Sequence, residues 1–157
     1  MPARIEFRNV TKRFPAQRRG EAGVTAVENV SIEIADGEVV SLIGPSGCGK
    51  STLLNMGSGL YLPSEGRVYV DGAEVRGPNK QVAFMLQKDL LLPWRSIREN
   101  VELGLEIQGI AASEREARAM KLIGKCHLGG FENHYPYQLS GGMRQRAALA
   151  RTIAVEP

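Results

Sequence analysis

Nine consecutive residues, Gly44-Pro45-Ser46-Gly47-Cys48-Gly49-Lys50-Ser51-Thr52, have the composition and spacing of a phosphate cradle. They fit the pattern G-x-x-x-x-G-K-[ST], in which glycines let the backbone turn tightly and aim several N–H groups at one anion. The lysine places an ammonium at the β- and γ-phosphates, and the hydroxyl after it can ligate Mg²⁺. Lys50 is therefore a candidate catalytic residue and Ser51 a candidate metal ligand. A bland alternative exists, a glycine-rich turn in an ordinary strand–helix unit. The flanks favour the cradle: residues 38–43 (EVVSLI) read as a short buried strand, and residues 50–56 as the opening of a helix. The positive end of that helix then faces the bound phosphates. The pattern predicts binding of a nucleoside triphosphate.

A second segment, Leu139-Ser140-Gly141-Gly142-Met143-Arg144-Gln145-Arg146, lies far downstream. By itself Ser-Gly-Gly is a helix start, with Ser140 as the cap and two glycines leaving bare N–H groups. Those same features suit a γ-phosphate, since Gly141 and Gly142 allow close approach and Ser140 adds a hydroxyl donor. Between the two motifs, Gln87 ends an apolar run at 82–86 (VAFML), which reads as a strand. Near the N-terminus, Phe14 reads by itself as a core residue of an N-terminal sheet.

Phosphate cradle, Gln87 and LSGGMRQR, in this order, resemble the ATP-binding-cassette (ABC) family, and the resemblance runs from Ile5 to Pro157. It implies a P-loop nucleoside triphosphatase fold of the α/β class, with an N-terminal antiparallel β subdomain and an inserted helical subdomain. It also implies that Gln87 contacts Mg²⁺ and the attacking water, and that Phe14 stacks on adenine. Ser140, Gly141 and Gly142 would act on a nucleotide held by a second copy, in a head-to-tail pair. Within the family, Leu91-Leu92-Pro93-Trp94-Arg95 and His134-Tyr135-Pro136-Tyr137-Gln138-Leu139 look most like the ATPases of nitrate, sulfonate and taurine importers. The region after Gln87 would then meet a transmembrane permease subunit, and the chain would sit on the cytoplasmic face of the inner membrane. Two departures stand out. Met143 occupies a place where the family commonly carries Gln, which puts a polar contact from that position in doubt. The Asp-Glu pair and the histidine that follow the signature helix in the family do not occur in these 157 residues, so the fold is expected to be incomplete at the C-terminus. Little or no ATP hydrolysis is expected of these residues alone. Two other readings remain: a nucleotide-binding but catalytically incomplete fragment, and a soluble ABC ATPase without a transport role.

The elements needed to position these groups can be read coarsely. Residues 5–10, 25–34 and 66–72 alternate like strands, with Asp36-Gly37 and Asp71-Gly72 as turn signals. Residues 96–105 and 113–125 read as helices, the latter opened by a capping box of Ser113 with Glu116. A third helix runs from Gly141 towards Ala154. The chain divides as a β subdomain plus P-loop core (1–87), a helical subdomain (88–140) and a signature helix (141–157). With 43% hydrophobic and 24% charged residues the composition is globular, no stretch approaches a membrane span, and secretion is not expected. Cys48 and Cys126 are too few for a disulfide framework. The net charge of +3 is modest and nucleic acid is not expected as a partner. Lys12, Arg13, Arg18 and Arg19 form the dense basic cluster and read as a solvated loop. His127 and His134 lack ligand-spaced neighbours and read as structural.

Overall fold

The computed structural model describes residues 3–16 and 22–156. Arg18 and Arg19 of the basic cluster, and Pro157, lie outside the described residues. The chain forms two compact units, Met1–Val82 and Ala83–Pro157.

The first unit is built on an antiparallel sheet of strands β1 (Ala3–Phe14), β2 (Val24–Ala35), β3 (Glu65–Val70) and β4 (Ala73–Glu74), in the order β2-β1-β3-β4. Alternation makes one face apolar. Phe7 pairs with Ile32 and Val68 across the two ladders, and Val10 with Val30. Asp71 and Gly72, at φ 49° and 75°, form the tight turn between β3 and β4 expected from their types. Helix α1 (Lys50–Gly57) lays Leu53 and Met56 onto this face. With Phe7, Val10, Val27, Val68, Val70 and Val75 they complete one core.

Two expected strands are absent among the described residues. Residues 38–43 adopt no strand, and Val39 and Ile43 are 92% and 95% exposed rather than buried. Residues 82–86 are likewise irregular. Both runs have strand composition, but a strand exists only against a neighbour that takes its hydrogen bonds, and none of the described segments pairs with either run.

The second unit is helical: α2 (Ile97–Ile107), α3 (Ala112–Lys125) and α4 (Gly141–Ile153), with a 3₁₀ turn at Pro136–Gln138 before α4. Ile97, Val101 and Leu105 of α2 recur every four residues, one face of a helix. They bury against Ala119 and Ile123 of α3 and Ala147, Ala148 and Ala150 of α4. The capping box lies elsewhere than expected. Helix α3 starts one residue early with Ala111 at its cap and no side-chain cap bond, so Ser113 sits inside the first turn. The box belongs to α2, where Ser96 Oγ accepts from the Glu99 N–H and the Glu99 carboxylate from the Ser96 N–H at 2.7 Å. No helix of the described residues is long and apolar enough to cross a membrane.

Candidate functional site

In the first unit, residues 44–49 arch into the N-terminus of α1. Gly49, the N-cap, has φ 94°, a conformation open to glycine, and a Cβ there would collide with the Ala26 carbonyl. At Gly44 a Cβ would lie 2.9 Å from Cys48 Sγ. Lys50 Nζ folds back over the arch and donates to the carbonyls of Gly44 (2.8 Å) and Pro45 (2.7 Å), with Cys48 Sγ at 3.4 Å. The ammonium thus stands at the mouth of the loop, and Ser51 presents an exposed hydroxyl in the first turn. A cleft of ≈ 490 Å³ opens beside the loop, with Cys48, Gly49 and Lys50 on one side and Glu28, Val30 and Ile32 on the other.

This arrangement fits a phosphate chain: backbone N–H groups at a helix start and an ammonium at the mouth of the loop. It fits Mg²⁺ in one respect. Among the described residues no three His, Cys, Asp or Glu side chains converge on a metal-sized site. A hydroxyl oxygen such as that of Ser51 suits an ion that takes most of its shell from phosphate oxygens and water.

Phe14 ends β1 half-buried, outside the first core, with its ring 5.5 Å from that of Tyr61 in an edge-on pair. Lys12 Nζ lies 5.4 Å and 5.7 Å from the two ring centroids and donates to the Leu62 carbonyl at 2.7 Å. Tyr61 and the placement of Lys12 escaped the sequence reading. The proximity spans some fifty residues of chain and has no local signature.

In the second unit the structure brings Gln87 and the Ser-Gly-Gly helix together. Ser140 caps α4, its hydroxyl accepting from the Met143 N–H at 3.4 Å. Gly141 and Gly142 are exposed in the first turn. Met143 packs against the helical core. Gln87 is exposed, and its carbonyl accepts from Gln145 of α4 at 3.2 Å. In the first turn of α2, Asn100 is fully buried. Its amide donates to the carbonyls of Leu92, Arg95 and Ser96, and its Oδ1 accepts from the Leu92 N–H at 2.7 Å. That single residue shapes the Leu-Pro-Trp-Arg loop and leaves Trp94 71% exposed. Arg95 is paired with Glu106 at 2.6 Å, which holds the Glu106 carboxyl below its ordinary pKa. The His134 ring lies tilted at 51° to that of Phe131 with centroids 5.0 Å apart, and its carbonyl accepts from the Ile97 N–H. Cys48 and Cys126 are both free thiols, and burial pushes the Cys126 pKa up.

Residues 27–157 match the family model described as ABC transporter. The chain belongs to the ABC transporter family. An uncharacterized ABC transporter ATP-binding protein of Methanocaldococcus jannaschii, MJ0412, is 45% identical over all 157 residues, which cover 58% of that protein. Taurine import ATP-binding proteins of Yersinia pestis and Burkholderia pseudomallei are 45% and 48% identical over 86% and 90% of the chain, covering 53% and 54% of their lengths. The chain spans about half the length of the curated relatives it matches. Among solved structures, the ATP-binding cassette MJ0796, in a dimeric post-hydrolysis state bound to ADP and Pi, superposes with a TM-score of 0.87 at 38% identity. That likeness covers 98% of this chain and 70% of the cassette. The fold is that of an ABC ATPase cassette.

Proposed function

We propose that this chain is the MgATP-binding part of an ABC importer ATPase that drives uptake of a small anion or organic solute such as taurine, a sulfonate or nitrate. The carrying observation is the cradle of residues 44–52, where Lys50 rests on two loop carbonyls that a phosphate chain would replace. The glycine N–H groups and Lys50 hold the β- and γ-phosphates, and Ser51 with Gln87 orients the metal. Mg²⁺, when bound, would neutralise charge developing on the phosphates. Ser140, Gly141 and Gly142 cap the γ-phosphate of a second copy, so two chains face head to tail. The identity to taurine import ATP-binding proteins supports the importer assignment. A permease subunit docks at the loop after Gln87, where Trp94 offers an exposed aromatic held in place through Asn100. The working location is the cytoplasmic face of the membrane.

Calorimetric titration with MgATP tests the first half: micromolar-range binding that Lys50→Ala weakens is expected, and equal affinities would remove the cradle reading. Co-purification from membranes tests the second. Trp94→Ala should reduce capture of a permease, and recovery of nucleic acid in place of a membrane protein would favour a non-transport role.

A further inference from the structure

Two aromatic side chains of the first unit stay at its surface without entering its core. Phe14 closes β1 half-buried, and Tyr61, 41% exposed, follows α1. Their rings meet edge-on, with centroids 5.5 Å apart and planes at 77°. The pair therefore makes a corner rather than a flat stack. Lys12 Nζ lies 5.4 Å from the Phe14 centroid and 5.7 Å from that of Tyr61, within the range in which a cation is drawn to an aromatic ring. Its donation to the Leu62 carbonyl at 2.7 Å anchors the ammonium there.

The corner is held from both sides. Behind it, the turn after α1 folds onto the helix end, where the Gly59 N–H donates to the Met56 carbonyl and the Tyr61 N–H to that of Asn55, each at 3.1 Å. Gly59 has φ 78°, and a Cβ there would collide with the Gly77 carbonyl. Ahead of it, the Ser64 N–H donates to the Thr11 carbonyl at 2.7 Å, and the Arg13 N–H to Ser64 Oγ at 3.0 Å. Residues 58–64 are thus seated on α1 at one end and on β1 at the other. The same stretch of sheet touches the cradle. Phe14 pairs with Val24 of β2, and two residues on, the Ala26 carbonyl is the atom that a side chain at Gly49 would strike. Two residues of strand span about 7 Å, comparable to the ribose that separates a base from its phosphates. All of these groups belong to the first unit.

We propose that Tyr61 is a base-binding residue of the nucleotide site, walling the edge of a base stacked on Phe14, and that Lys12 is the positioning residue that braces the two rings. The inference rests on the function proposed above. The family resemblance reaches Phe14 alone, whereas Tyr61 and Lys12 enter through these distances. A ring face by itself accepts any base and leaves it free to slide. Because the two planes are nearly perpendicular, a base stacked on one ring meets the other at its edge and has one place to stop. Lys12, attracted to both rings and tied to the Leu62 carbonyl, keeps the corner at its angle before the nucleotide arrives.

Calorimetric titration with two ligands tests this: MgATP, and magnesium tripolyphosphate, which offers the phosphate chain without a base. Tyr61→Ala should bind MgATP roughly tenfold more weakly and tripolyphosphate within about twofold of wild type. Tyr61→Phe should stay within about twofold on both, because the ring and not the hydroxyl walls the base. Lys12→Met keeps the stem without the charge, and should weaken MgATP about threefold while sparing tripolyphosphate. Lys50→Ala, in contrast, should weaken both ligands. Should Tyr61→Ala not fold, Tyr61→Leu, which keeps apolar bulk without a ring, takes its place with a loss in the same direction. Undiminished MgATP binding in that variant, an equal loss of both ligands, or a Tyr61→Phe chain as weak as Tyr61→Ala overturns the inference. So does a wild-type chain that binds the two ligands equally tightly, a result that leaves the cradle standing. A wild-type chain that binds neither overturns the proposed function, and the inference with it.

Discussion

Lys50 carries the heaviest single-residue prediction. Its ammonium is satisfied by two loop carbonyls, so binding a triphosphate exchanges those bonds for charge-assisted ones. Lys50→Ala removes such a donor, for which about 1.5–3 kcal/mol is typical, and should weaken MgATP binding roughly ten- to hundredfold by calorimetry. Phe14→Ala addresses the other end of the nucleotide. Phe14 lies outside the first core, so the variant should lose about 1–3 kcal/mol of ATP affinity with little change in nucleotide-free melting temperature. A sharp drop in melting temperature with affinity intact would assign it to structure. At this scale the cradle was readable because its residues are contiguous. Tyr61 and Lys12 were not, because their meeting with Phe14 depends on how β1 is seated.

At the scale of elements, the N-terminus of α1 depends on Gly49. Gly49→Ala puts a Cβ against the Ala26 carbonyl in a left-handed conformation, and should lower stability by about 1–2 kcal/mol or more while abolishing MgATP binding. In the helical unit, Asn100→Leu fills the same space but strands buried polar groups of the 92–96 turn, at about 1–3 kcal/mol for each left unpaired. The melting temperature should fall while helix content persists. The Ser96 N–H holds the Glu99 carboxyl below its ordinary pKa. A carboxyl depressed in the folded state stabilises above its unfolded pKa of about 4.3 and loses that contribution as pH falls through the folded value. Melting of the helical unit between pH 5 and 3 should therefore decline with acid, and Glu99→Gln should flatten the decline while keeping the cap. Two segments, Ser96 to Glu99 and Ser113 to Glu116, carry the same S-x-x-E pattern. Only the first caps a helix, because Ala111 already supplies the carbonyl that the Arg115 N–H needs. The helices themselves were legible to within two residues, since periodicity is local. The run 38–43 was misread for the opposite reason: its composition is a strand's, but whether it is one depends on a neighbour.

At the scale of the whole molecule, the chain holds two cores with no residue in common. The sequence hinted at the division by placing strands early and helices late. Among the described residues the two units share no core residue whose loss must unfold both, so calorimetric heating should show two transitions rather than one. The cradle belongs to the first unit. A ligand that binds only the folded form adds RT ln(1 + [L]/Kd) to stability, about 2.7 kcal/mol at a hundredfold excess over Kd. MgATP should raise the transition of the sheet unit, which holds the cradle, and that of the helical unit by less, because Gln87 and the Ser140 cap are all that it brings to the nucleotide. The gap between the two peaks then acts as a balance inside one cell, showing how unequally the two units hold the ligand. A gap that stays constant as MgATP is added would mean that the cradle carries no larger share of the binding than the helices do.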